Sequence, residues 1–127
     1  MTSDRSLVGK RILVVEDEYF IASDLKRALA GAGAEVVGPV GALGPAEDLV
    51  ERDGIVAAVL DVNLEGEHTY SLMDTLIADQ VPVLLVTGYD EWALPEKYRA
   101  IPRLTKPFAL GLVASQVAAL LQSEPKP

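Results

Sequence analysis

Three short stretches of this chain, ILVV at 12–15, VAAVL at 56–60 and VLLV at 83–86, carry almost no polar alternation. A strand with one wet face alternates apolar and polar residues, so an unbroken apolar strand is one covered on both faces, as in the middle of a parallel sheet. Segments of helical period separate these runs, and that alternation is the signature of βαβ units. The expected strands are Arg11–Val15, Glu35–Gly38, Val56–Leu60, Pro82–Val86 and a short one at Arg103–Leu104. The second lies in EVVGPV, whose glycine and proline suit an edge.

Between the strands, Tyr19–Ala30 places Ile21, Ala22, Leu25, Ala28 and Leu29 at helical spacing, and GAG at 31–33 supplies a glycine stop. Pro45–Arg52 gives a short second helix, and Thr69–Asp79 a third with Leu72, Met73, Leu76 and Ile77 on one side. The fourth segment, DEWALPEKYRA, has Pro95 in its middle and predicts a short or irregular helix. Phe108–Gln122 follows Pro107 as the last helix. With 127 residues there is room for one domain, expected over 10–122, with a flexible N-terminal segment at 1–9 and a polar tail at 123–127. Right-handed crossovers make a doubly wound five-stranded parallel sheet of order 2-1-3-4-5 the expected topology.

Ligands of such sheets bind beyond the carboxyl ends of the strands, where the winding reverses. The residues just past strands 1, 3, 4 and 5 are Glu16-Asp17, Asp61, Thr87-Gly88 and Thr105-Lys106-Pro107. Three carboxylates, a hydroxyl and an ammonium are thus expected at one edge. Adjacent carboxylates raise each other's pKa unless a cation sits between them, and a carboxylate set without imidazole or thiol favours a hard cation, Mg²⁺ in particular. Asp61, alone at its strand end, can share that ion and offer an oxygen as a nucleophile toward a phosphoryl group. Such transfer needs little beyond positioning and charge neutralisation, which Lys106, the Thr87 hydroxyl and backbone N–H groups can supply. There is no cysteine, hence no disulfide or thiolate site. Nineteen acids against eleven Lys plus Arg give a net charge of −8, which works against binding to phosphate backbones. No run of 18 apolar residues appears, and MTSDRSLVGKR lacks a secretory core, so a soluble cytoplasmic protein without membrane or nucleic-acid contact is expected.

The segments VVEDE, LDVNLEGE, VTGYD and LTKPF, in this order and at these intervals, resemble the receiver domain of two-component response regulators across about residues 10–122. The resemblance implies a flavodoxin-like (CheY-like) fold and a phospho-acceptor at Asp61. It also implies Mg²⁺ held by Glu16, Asp17, Asp61 and the Asn63 backbone carbonyl. Thr87 matches the switch hydroxyl, Lys106 the lysine that contacts the phosphoryl group, and Lys106-Pro107 a peptide bond often cis in the family. TGYD, LPEKYRAIPRLTKPF and DVNLEGE are similar to single-domain receivers named for a Phe-Ala-Thr-Gly motif, although Leu85-Val86 stand where that motif has Phe-Ala. Arg103 stands where receivers commonly carry an aromatic that swings inward on phosphorylation, a departure that puts the family's usual Thr-to-aromatic coupling in question here. Tyr89, two residues past Thr87, is expected to shield the acyl phosphate from water.

Simpler readings exist for each residue. Asp17 and Glu18 suit a helix N-terminus, Asp61 and Thr87 suit turns, and Lys106 can be a surface lysine before a helix opened by Pro107. These would have to coincide at four loops of one sheet edge. His68 is expected to be exposed without a metal role, Trp92 and Tyr98 to pack locally, and FALGLVASQVAALL to hold apolar surface beyond one core stripe. The leading expectation is a signalling module, not an enzyme: a histidine kinase or phosphotransfer protein phosphorylates Asp61, and the product alters binding to a downstream protein. A stand-alone regulator and a piece of a longer one both fit, as does a homodimer through the face of the fourth segment and last helix. The enzyme alternative, a Mg²⁺-dependent phosphohydrolase passing through an aspartyl phosphate, needs an acid two residues past the nucleophile, where this chain has Asn63.

Overall fold

The computed structural model describes residues 5–52, 54–64, 66–88 and 94–122. Its main sheet is built from β1 (Arg11–Val15), β2 (Glu35–Val40), β3 (Ala57–Asp61), β6 (Val83–Thr87) and β7 (Arg103–Thr105), all parallel, in the order β2-β1-β3-β6-β7. Counting only the five strands of this sheet, that is the order 2-1-3-4-5. A two-residue hairpin, β4 (Asn63–Leu64) with β5 (Glu67–His68), follows β3 directly. The helices are α1 (Tyr19–Gly31), α2 (Leu43–Arg52), α3 (Tyr70–Ala78) and α4 (Leu110–Gln122).

The period of two along each strand divides the core into two clusters. Ile12 and Val14, Val59, and Leu84 and Val86 point to one side, under Leu25 and Leu29 of α1 and Val113 and Val117 of α4. Leu13 and Val15, Ala58 and Leu60, and Leu85 point to the other, under Leu72, Met73 and Leu76 of α3 and Ala46 of α2. Both faces being covered is why the central strands carry no polar alternation. Leu7 is fully buried in the first cluster and its amide donates to the Ala32 carbonyl at 3.0 Å, so packing begins ahead of residue 10.

Strand β2 lies at the edge, but it runs to Val40 rather than ending at Gly38. Gly38 sits at φ +96°, the Gly38–Pro39 bond is cis, and the register against β1 shifts between Leu13 and Val15. A bulge at an edge strand absorbs the proline's missing donor and lets pairing resume. The resumed pairing reaches the site, because the Glu16 amide donates to the Val40 carbonyl at 3.0 Å. Helix α2 starts two residues before Pro45, in the first turn, where an amide has no intrahelical acceptor in any case. Helix α4 starts at Leu110, two residues after the expected Phe108. In the fourth segment, the described residues hold one 3₁₀ turn, Glu96–Tyr98, opened by Pro95. Tyr89 and Trp92 lie outside the described residues.

Candidate phosphoryl-transfer site

Strands β1 and β3 are paired in register up to Val15 and Leu60, so the residues that follow, Glu16 and Asp61, stand side by side at the carboxyl edge of the sheet. Strand β6 pairs Val86 with Asp61, and β7 pairs Thr105 with Thr87. The last residues of four adjacent strands therefore converge at one edge. Carboxylate oxygens of Glu16, Asp17 and Asp61 all lie within 4.8 Å of one another. The Lys106 ammonium, 90 residues along the chain from Glu16, stands 3.0 Å from Asp61 Oδ2 and 3.2 Å from Glu16 Oε1.

Each group is held from its own backbone. The Glu18 amide donates to Glu16 Oε2 at 3.0 Å, and the Asn63 amide donates to Asp61 Oδ1 at 3.1 Å. Asn63 in turn accepts from the Gly66 amide at 2.7 Å, closing the hairpin turn, where Gly66 takes φ +87°. The Lys106 amide donates to the Thr87 carbonyl at 2.7 Å, and the Lys106–Pro107 bond is cis. Thr87 is buried, and its hydroxyl donates to the Gly88 carbonyl at 2.6 Å. Arg103 is half-buried; its guanidinium donates to the Arg99 and Ile101 carbonyls rather than entering the site.

Burial pushes the Glu16 carboxyl up to about 7, with the Asp61 charge adding to it, against the opposing pull of the Glu18 amide and Lys106. Burial alone would lower the Lys106 pKa, but its bonds and charge pairing with Asp61 and Glu16 outweigh that and hold it above the ordinary lysine value. Three carboxylates and one ammonium leave the cluster short of positive charge. Glu16 Oε1 is buried and accepts no well-formed hydrogen bond; Lys106 approaches it only as an ion pair. An all-oxygen donor set with a buried, under-satisfied oxygen fits a hard divalent cation. Beside the cluster, a groove of about 500 Å³ between α1 and the start of α4 is lined by Glu18, Ile21, Gly88, Lys106, Pro107 and Phe108.

The structure thus brings Glu16, Asp17, Asp61 and Lys106 together, with the Asn63 amide on Asp61 and Thr87 buried at the end of the neighbouring strand β6. It places Arg103 outside and His68 exposed on the hairpin. Sequence reasoning missed that the ring of His68 stacks on Tyr70 (centroids 4.6 Å apart) and Tyr70 on Tyr98 (4.9 Å). It also missed Thr69 as anything other than a helix start. The one available signal was the Glu65-Gly66 pair between Asn63-Leu64 and Glu67-His68, a hairpin cue too short to show periodicity.

A parallel sheet of this order with paired acids, a lone aspartate and a lysine at its carboxyl edge is the architecture of receiver domains. No family model matches the chain. Among solved structures it is similar to SdrG from Sphingomonas melonis Fr1, with 38% identity, a TM-score of 0.79 and coverage of 95% of this chain and 99% of that one. Among curated proteins it is 29% identical over 123 residues to the phyllosphere-induced regulator PhyR of Methylorubrum extorquens AM1, and 27% identical over 114 residues to the transcriptional regulatory protein PdtaR of Mycobacterium tuberculosis. These alignments take in 91% and 87% of this chain but 46% and 56% of those proteins, so the chain spans about half the length of either. The chain belongs to the receiver domains of two-component response regulators.

Proposed function

We propose that the chain is a phosphoryl-accepting switch in which Asp61 takes a phosphoryl group from a histidine kinase or phosphotransfer protein. Glu16, Asp17, Asp61 and the Asn63 carbonyl hold Mg²⁺, which when bound supplies charge neutralisation for the transferring group. The observation that carries this reading is the contact of the Lys106 ammonium with both Asp61 and Glu16, which puts a cation at the one carboxylate shared by metal and nucleophile roles. Asp61 is buried, its Oδ1 is fixed by the Asn63 amide, and its other oxygen faces Lys106. Lys106 is in place to neutralise a phosphoryl oxygen, and the Thr87 hydroxyl, now bonded to the Gly88 carbonyl, is the group we assign to another.

The protein acts as a cytoplasmic signalling module rather than an enzyme, and its phosphorylated form changes its binding to a protein partner. Among the described residues no helix is long and apolar enough to cross a membrane. Leu110 and Leu112, exposed at the start of α4, support a second copy docking on that end of the helix. The test is incubation with Mg²⁺ and acetyl phosphate followed by intact mass. Wild type should gain one phosphoryl group and Asp61→Asn none; equal labelling of both refutes the assignment.

A further inference from the structure

Among the described residues, four polar or charged side chains are buried: Glu16, Asp61, Thr87 and Thr69. The first three belong to the site. Thr69, with no exposure at all, has no role in it so far.

Thr69 occupies the N-cap of α3, where a threonine hydroxyl ordinarily accepts from a free amide of the first turn. Here it makes no such cap. Instead its hydroxyl donates backwards, to the main-chain carbonyl of Asp61 at 2.8 Å, with the Val62 carbonyl at 3.2 Å. Its amide donates to that Val62 carbonyl at 2.9 Å. A hydroxyl has one proton, and the shorter contact assigns it to Asp61. The chain thus forgoes a local helix cap in order to fix the backbone immediately past β3.

That backbone sets the site geometry. Asp61 is the last residue of β3, so beyond it the ladder of the main sheet no longer restrains the chain, and Val62 is held through its carbonyl by Thr69 before the β4–β5 pairing begins at Asn63. The Asn63 amide orients the Asp61 carboxylate, and its position depends on how residues 61–63 leave the strand. We propose that Thr69 is a positioning residue for phosphoryl transfer: by holding the Asp61 and Val62 carbonyls it keeps the Asn63 amide on Asp61 Oδ1 and the other oxygen toward Lys106. This rests on the assignment of Asp61 as acceptor.

The test uses the full chain with Mg²⁺ and acetyl phosphate. Thr69→Val keeps the shape and removes the hydroxyl, whereas Thr69→Ser keeps the hydroxyl. Thr69→Val should lower the labelling rate at saturating acetyl phosphate about tenfold with little change in KM, and Thr69→Ser should recover it to within about twofold. The Asn63 amide resonance should shift in Thr69→Val and return in Thr69→Ser, a signature that loss of stability alone does not give. A folded Thr69→Val that labels at the wild-type rate with Asn63 unmoved overturns the inference. A variant that does not fold leaves the wild type as the probe: Mg²⁺ with beryllofluoride should shift the Thr69 and Asn63 amides together, and a still Thr69 amide overturns it equally. Labelling that survives in Asp61→Asn instead sinks the acceptor assignment beneath it.

Discussion

Replacing Glu16 with glutamine should flatten the pH dependence of stability in the metal-free protein. The Glu16 carboxyl is held at about 7 in the fold, against 4.5 ordinarily. Between those values the folded state keeps a proton that the unfolded chain has released, so stability falls as pH rises. From pH 5 to pH 8 the loss works out at about 2.5 kcal/mol, taking about 1.4 kcal/mol per pKa unit and allowing for partial titration at both ends. For a domain of this size that is a fall in Tm of about 10 °C. The Lys106 shift lies above the ordinary lysine value and leaves this window untouched. Thermal melts followed by circular dichroism at pH 5 to 8 would measure it. Wild type should lose stability along that range and Glu16→Gln should not. If Mg²⁺ binds at this cluster as proposed, it competes with the Glu16 proton and binds only the fold, so at about 100 times its Kd it should return about 2.7 kcal/mol to wild type at pH 8 and less to Glu16→Gln. Parallel pH profiles for the two proteins would show that burial of Glu16 is not the source of the effect.

Lys106→Met should destabilise the metal-free protein by about 1–2 kcal/mol at pH 8, since it leaves buried acids unpaired while its own partial exposure softens the loss, and by less at pH 5, where Glu16 is neutral; urea titrations at the two pH values would show the difference. Gly38→Ala should cost at least about 1–2 kcal/mol, because φ is +96° and a Cβ would stand 2.9 Å from the Val14 oxygen and the Val40 nitrogen; denaturation reads the loss, and Mg²⁺ titration should show weaker binding because Val40 holds the Glu16 amide. Tyr98→Phe should cost about 1 kcal/mol through the lost 2.9 Å bond from its hydroxyl to Asp74, while Tyr98→Leu should cost more by removing the ring stacked on Tyr70; unchanged urea midpoints would argue against the stack.

The strands buried on both faces were readable because burial leaves a compositional mark. Ile12–Val15 and Val83–Val86 can only be central, and their carboxyl ends indicated where acids would meet. The convergence of Glu16 with Lys106 was an inference from topology, since no local pattern links residues 90 positions apart. Local cues misled where a longer-range bond prevailed. Thr69 before an apolar helical run reads as a cap, and its hydroxyl goes instead to a carbonyl eight residues earlier. Gly38-Pro39 reads as a strand end, and the bulge lets the ladder continue to Val40. The β4–β5 hairpin gave no periodic signal, because two-residue strands have no measurable period.

The fourth segment shows how the fold manages without an aromatic at position 103. Pro95 forbids a regular helix through the segment, leaving carbonyls that a helix would have satisfied. Arginines supply the missing donors: Arg99 Nε bonds the Leu94 carbonyl at 2.9 Å, and Arg103 reaches the carbonyls of Arg99 and Ile101. The aromatic mass stands five residues earlier, in buried Tyr98, whose ring lies on Tyr70 and, through it, on His68. Thr69 sits between those two stacked residues and holds the Asp61 carbonyl. Contact therefore runs from the loop past β3 to the fourth segment through the hairpin side of the sheet, whereas a Thr87-to-aromatic exchange would run along β6 and β7. A movement of the loop past β3 that keeps the Thr69 bonds carries residues 68–70 with it, and so either moves the three rings together or unstacks them.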